Sequence, residues 1–305
     1  MKDIYDILKE WKKRRVGKFA LATLVRAQGS SYRRPGARML ICADGEMIGS
    51  LSAGCLEQDV AARGLEILKT GLPATMCFDT RKRFGCAGKI DIFIEPAPEN
   101  FLVDLAENLN ARRECLAITR FAGAGLGTRI GRFDYVQEQE HEFVQQVHPP
   151  IRLFIFGAGA DNASLHFLAR SLGWQAFEVT DSNELSIQPD AWTAAIVKFH
   201  NYGRDFAALQ QILPLELRYV GLIGPRKRRN QLLDDLLESG VTMNAGFFAP
   251  AGLDLGAETR EEIALGIITE IQRVFAHGSG QSLRERKVPI HAALKCSSSP
   301  GALKR

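Results

Sequence analysis

Two cysteines stand where sulfur chemistry is possible. Cys55 ends the segment Ser52-Ala53-Gly54-Cys55, which is expected to open a helix running through Glu57, Val60 and Leu65 to about Lys69. The positive end of a helix dipole draws negative charge to that spot, so Cys55 is a candidate reactive or ligating sulfur. The alternative is a small buried residue packing the first turn. Cys86 lies between two glycines in the loop Thr80 to Gly88 (TRKRFGCAG), where the lack of side chains lets another molecule approach the backbone closely. Phosphate chemistry has its own candidates. Gly157-Ala158-Gly159 follows the apolar run Ile151 to Phe156, and Asp181 follows the next strand, Gln175 to Thr180. A glycine turn entering a helix offers backbone N–H groups to phosphate, and an acid at the end of the second strand is where a ribose is held. Asn162 replaces the third glycine of G-x-G-x-x-G, and Asp161 puts a negative charge where a pyrophosphate would sit, so an ordinary turn of a doubly wound sheet is the competing reading. Arg226-Lys227-Arg228-Arg229 forms the first turn of a further helix. Cations at that end oppose the dipole by roughly 0.3–1 kcal/mol each, which a bound anion would relieve and salt would screen.

These residues need elements to hold them. Ile4, Ile7, Leu8 and Trp11 form one stripe of a first helix, Phe19 to Ala27 reads as a strand, and Gln28 to Gly36 (QGSSYRRPG) is a polar loop with glycine at both ends. Ala37 to Cys42 and Met47 to Leu51 form a hairpin about Ala43-Asp44-Gly45-Glu46; Ala74 to Asp79 and Lys89 to Glu95 are strands flanking the Cys86 loop. A helix over Phe101 to Asn110, a strand over Cys115 to Arg120 and a glycine-rich hairpin over Ala122 to Gly131 follow, and Glu138 to Pro150 reads as a linker. Beyond it the elements alternate. Strands at Ala194 to Phe199 and Arg218 to Ile223 are interleaved with helices at Phe206 to Leu213 and Arg226 to Glu238, and the capping box Thr259-Arg260-Glu261-Glu262 starts a helix to about His277. The fold class expected is α/β: an N-terminal α+β domain over 1–148, a Rossmann-like doubly wound parallel-sheet domain over 149–277, and a basic, flexible tail over 278–305.

Bulk properties narrow the function. At 305 residues the chain is long enough for two cores, and a net charge of +4 is too small to demand nucleic acid. No apolar run approaches the roughly 18 residues that cross a bilayer, and MKDIYDILKEWKKRR lacks a signal-peptide core, so a cytoplasmic protein without a membrane partner is expected. The six cysteines include no C-x-x-C pair, which argues against a zinc knuckle and for free thiols.

Several of these segments share wording with one family. Gln28-Gly29-Ser30-Ser31, Arg34-Pro35-Gly36-Ala37-Arg38-Met39 and Gly49-Ser50-Leu51-Ser52-Ala53-Gly54-Cys55-Leu56-Glu57 resemble the amino-terminal signature of the XdhC/CoxI family, accessory proteins of xanthine dehydrogenase and related molybdenum hydroxylases. Gly85-Cys86-Ala87-Gly88 resembles its second signature. Gly157-Ala158-Gly159-Ala160-Asp161, Val220 to Arg229 and Pro250 to Ala257 are similar to its Rossmann domain. The resemblance implies a molybdenum-cofactor chaperone that holds the molybdopterin cofactor during sulfuration and inserts it into an apo-hydroxylase. It also implies a cysteine desulfurase-type sulfur donor and a homodimer.

Such a cargo wants cations, backbone donors and a thiolate. The resemblance gives these to Gly29, Ser30, Ser31, Arg33, Arg34 and Arg38, to Ser52, Gly54, Cys55 and Glu57, and to Cys86 and Gly88, with Cys55 or Cys86 as the metal-facing thiol. Gly157, Gly159, Asp181, Arg226 and Arg228 would hold a cofactor phosphate, a nucleotide or a dinucleotide in the rear half. The front segments and the rear sheet edge are expected to face a common cleft. A nicotinamide-dependent oxidoreductase using the Rossmann unit, and a purely structural adaptor, are the competing functions.

Overall fold

The computed structural model describes residues 1–14, 17–29, 31–79, 88–135, 140–181 and 188–285. In the front half, helix α1 (Lys2–Lys13) precedes strands β1 (Phe19–Gly29), β2 (Arg38–Cys42) and β3 (Met47–Gly49). Helix α2 (Glu57–Thr70), β4 (Ala74–Asp79), β5 (Gly88–Pro96) and helix α3 (Glu99–Asn110) follow. The five strands form one antiparallel sheet in the order β3-β2-β1-β5-β4. Both of its faces are covered, which is why β1 and β2 read as nearly unbroken apolar runs. Ala20, Ala22, Leu24, Met39, Ile41, Ile92 and Ile94 meet Val60, Ala61 and Ile67 of α2. On the opposite face Leu21 and Leu40 meet Ile4, Ile7 and Leu8 of α1 and Phe101, Leu102 and Leu105 of α3. A three-stranded antiparallel sheet, β7-β6-β8, closes this second side with β6 (Cys115–Arg120), β7 (Gly127–Gly131) and β8 (Glu142–Val147).

Two expectations need correction here. The stretch read as a linker from Glu138 holds β8, whose polar Gln145 and Gln146 hide a strand with Glu142 and Val147 buried. The segment Ser52 to Cys55 is a turn outside α2, because Glu57 bonds back to it and the helix starts only there.

The rear half is a parallel sheet in the order β10-β9-β11-β12-β13, with β9 (Arg152–Phe156), β10 (Gln175–Val179), β11 (Thr193–Val197), β12 (Tyr219–Leu222) and β13 (Phe247–Phe248). Helices α4 (Asn162–Ser171) and α7 (Arg260–Phe275) pack on one face, and α5 (Tyr202–Ile212) and α6 (Arg226–Glu238) on the other. Thr259 and Glu262 make the expected reciprocal cap of α7. The fold is the expected mixed α/β arrangement with a Rossmann-like rear half. The order of its sheet reverses between β9 and β11, the switch point at which such sheets bind ligands beyond their carboxyl ends.

The halves meet at the other end of these strands. Arg112 donates from Nε to Asp190 at 2.7 Å and from Nη1 to the Pro150 carbonyl. Trp192 donates to Glu114 at 2.7 Å, Tyr5 donates to the His148 carbonyl at 2.9 Å, and His148 stacks on Trp192. Pro150, Asp190 and Trp192 all lie just ahead of β9 or β11.

Candidate functional site

The front signatures are joined by strand register. Gly29 at the end of β1 pairs with Gly88 at the start of β5, so one glycine of each signature lies beside the other on the sheet. Ser30 and Cys86 lie outside the described residues. The chain then folds back on β1: Gly36 donates to the Leu24 carbonyl at 2.7 Å, and Ser31 Oγ donates to the Arg33 carbonyl at 2.7 Å. Arg33 reaches Ser50 Oγ at 3.1 Å and pairs with Asp3 of α1, tying this return to the segment that carries Cys55. Arg34 is exposed and has a partner of its own.

The Cys55 turn is built around one carboxylate. Glu57 is buried and accepts from the backbone N–H groups of Leu51 at 3.1 Å, Ser52 at 2.7 Å and Leu56 at 3.1 Å, and from Ser52 Oγ at 2.7 Å. Burial pushes its carboxyl up, but the bonds from the Ser52 side chain and the backbone outweigh it and hold it below the ordinary range. Ser52 Oγ in turn accepts from the N–H of Gly54 and of Cys55, both at 3.2 Å, and lies 3.4 Å from Cys55 Sγ. Gly54 takes φ +106°, and a Cβ there would meet nothing within 4 Å. The result is an exposed thiol on a fixed turn with open space beside it. Glu57 therefore shapes this turn; its oxygens are already spent.

Arg38 is placed differently from the expectation. It is 2% exposed, donates to Gln145 of β8 and lies over the Phe101 ring, so it points into the core rather than to a ligand at the surface. A cavity of about 760 Å³ opens at the opposite end of the same sheet, among Trp11, Phe19, Ile67, Pro96 and Val103, and touches none of the signature residues.

At the rear edge the glycine turn is filled from within. Gly157 has φ +120°, and a Cβ on it would lie 2.6 Å from the Lys198 carbonyl, so only glycine lets β9 leave this close to β11. Asn162, at the place of the third glycine, donates to the Gly157 carbonyl at 2.9 Å. Lys198 is fully buried and donates to Asp161 at 2.9 Å and to Asn162 at 2.8 Å. The charge of Asp161 is thus answered inside the protein. Asp181 is exposed beyond β10, and Arg204 bonds the neighbouring Thr180 carbonyl while lying 4.0 Å over the Phe199 ring. The basic turn divides. Arg228 pairs with the fully buried Asp205, which also accepts from the Phe199 N–H at 2.9 Å, and Arg229 donates to the Ala249 carbonyl at 2.9 Å. Arg226 and Lys227 remain exposed. Arg228, expected to meet a ligand, is occupied by Asp205.

Among the described residues, the junction of the two halves does not include the rear members of the expected cleft. That junction uses the amino ends of β9 and β11, whereas Gly157, Lys198 and Arg226 lie beyond the carboxyl ends, about 17 Å away along strands of five residues. Arg33 belongs to the junction side: its partner Asp3 is on α1, whose Lys2 and Tyr5 pack on Gly173 ahead of β10.

Two sequence profiles match the chain, one described as the XdhC and CoxI family over residues 13–79 and one as the XdhC Rossmann domain over residues 153–271. The chain belongs to the XdhC and CoxI family. Among relatives, a protein of Bacillus subtilis named as a probable subunit of xanthine dehydrogenase is 27% identical, over 82% of this chain and 91% of that protein. The molybdenum cofactor insertion chaperone PaoD of Escherichia coli is 24% identical, over 84% of this chain and 83% of its own length. A crystal structure described as a xanthine dehydrogenase from Bacillus halodurans shares the fold with a TM-score of 0.77 at 23% identity, covering 91% of this chain and 96% of that one. The XdhC and CoxI profile spans the Cys55 turn and the loop of Arg33; the XdhC Rossmann profile spans Lys198 and α6. Sequence reading missed Lys198 and the anchoring role of Glu57. Lysine at the end of an apolar strand was the usable signal for the first, and a carboxylate two residues past Cys55 for the second.

Proposed function

We propose that this protein is a molybdenum-cofactor chaperone: it binds the pterin cofactor, keeps it while a sulfido ligand is added, and delivers it to the apo form of a xanthine dehydrogenase-type molybdenum hydroxylase. The observation that carries the reading is the exposed Cys55 thiol, held on a turn that Ser52 and Glu57 fix from behind. A single soft sulfur suits a metal that must later be released, and Arg33 and Arg34 supply cations for the cofactor's phosphate. Cys86, two residues ahead of Gly88 in the sequence, would add a second sulfur. The relatives named as a cofactor insertion chaperone and as part of a xanthine dehydrogenase support the same role.

The role is binding and delivery rather than catalysis of a net reaction. Its partners are the apo-hydroxylase, a cysteine desulfurase-type sulfur donor and a second copy of this chain, and its domains divide at His148. A nicotinamide oxidoreductase would need a pyrophosphate at the switch point, where Lys198 already donates to Asp161 and Asn162. A pull-down from the native host, with molybdenum and pterin measured in the eluate, tests the proposal. Co-elution of a molybdenum hydroxylase with both supports it. Recovery of a nicotinamide-bearing protein without molybdenum overturns it.

A further inference from the structure

The face of the first sheet turned toward α3 and the second sheet has three polar side chains sealed in its core: Thr23, Arg38 and Glu95 are 0%, 2% and 4% exposed. Thr23 pairs with Arg38 across β1 and β2, and Glu95 pairs with Leu21, two residues from Thr23. The two-residue period of a strand puts all three on one face of adjacent strands. Each has a buried polar atom without a partner among the described residues: Thr23 Oγ1, Arg38 Nε and Nη2, and Glu95 Oε1. The free donors belong to the arginine and a free acceptor to the acid, a complementary set that the packing leaves unjoined.

The same arginine supports the base of the first signature. Arg38 Nη1 lies 3.4 Å from the Gly36 carbonyl and bonds Gln145, whose side chain packs where a Cβ on Gly36 would be. From there three backbone bonds set the loop: Gly36 to the Leu24 carbonyl at 2.7 Å, Leu24 to the Ala37 carbonyl at 2.9 Å and Ala37 to the Arg34 carbonyl at 3.2 Å.

We propose that the sealed Glu95 carboxyl makes the Arg38 seat under residues 31–37 a proton-linked latch, closed while Glu95 keeps its proton and loosened when it ionises. Burial pushes Glu95 up to about 7, against the bonds from Thr128 and the charge of Arg38. Burial also brings Arg38 down to about 10. The groups facing the pair are Thr23 on β1, Cys115 on β6, pushed by burial up to about 11, Thr128 on β7, Gln145 on β8 and Phe101 on α3. The amino group ahead of α1, lowered by its own burial, feels the charge of Arg38. Between its ordinary value and about 7 Glu95 holds a proton in the closed state that it sheds when opened, so closure weakens as pH rises through that window and weakens no further above it.

Hydrogen exchange on the unliganded full chain at pH 6 and pH 8, corrected for intrinsic rates, reads this without any cargo, so its outcome is separate from that of the chaperone proposal. Protection of the Leu24, Gly36 and Ala37 amides falls about tenfold between the two pH values if opening exposes Glu95, while Ile267 and Ile268 of α7 serve as the reference. Glu95→Gln abolishes the change, which separates Glu95 from the amino group. Equal pH dependence in Glu95→Gln, or none in the parent, overturns the latch. Should that variant fail to fold, the Glu95 carboxyl titrated by carbon NMR in the parent decides: a midpoint near 7 supports the latch, and one at the ordinary carboxylate value removes it.

Discussion

Glu57 and Glu95 are carboxylates of the front half driven in opposite directions by their surroundings. Glu57 gains more from its hydrogen bonds than it loses by burial, so its contribution to stability is present above the ordinary carboxylate range and lost as acid titrates it through its lowered value. Glu57→Ala strands the donors of Leu51, Ser52 and Leu56 and is expected to cost about 2–4 kcal/mol in denaturant unfolding, with the Cys55 thiol changing its rate of modification by a disulfide reagent as the turn loosens. At the rear edge the two halves of the Lys198 pair are unequal. Asp161→Ala leaves a fully buried ammonium with one partner and should cost about 3 kcal/mol; Lys198→Met leaves a carboxylate that is 35% exposed and should cost less. The reverse order in chemical denaturation would contradict this reading. The chain alone offered half of this. A lysine at the end of the apolar strand Thr193–Val197 is a signal, but its partners Asp161 and Asn162 are set only when the glycine turn brings them around it.

Elements with strong local signals were legible. The capping box of α7, the helix Arg226–Glu238 and the strand-turn-helix at Gly157 stand where their residues place them, because each is set by contacts within a few positions. Elements defined by tertiary pairing were not: β8 is polar along much of its length, and β13 is two residues long. The basic first turn of α6 shows the same limit, since nothing in its own residues tells that Arg228 answers the buried Asp205. Arg228→Ala should therefore destabilise by about 2–4 kcal/mol, and Arg226→Ala, with an exposed side chain, by less than about 0.5 kcal/mol, both readable by thermal unfolding. Thr259→Ala should lose about 1 kcal/mol through its cap alone.

For the whole molecule, the order of elements was readable and the relation between the two halves was not. The junction rests on Arg112, Glu114, Tyr5 and His148 meeting Asp190 and Trp192, residues spread over the chain with no shared motif. It places Arg33, through Asp3 of α1, on the amino-end side of the parallel sheet, so cargo held by Arg33 should be insensitive to Arg226→Ala within one chain. The central claim is that the exposed sulfur of the Cys55 turn holds a metallopterin. It is tested most directly by molybdenum and oxidised-pterin content, measured side by side in parent and Cys55→Ser protein purified from cells that make the cofactor. The account predicts both in the parent, in equal molar amounts, and a loss of both in the variant with its fold intact. An empty parent protein with no affinity for added cofactor, or a variant as fully loaded as the parent, would contradict it.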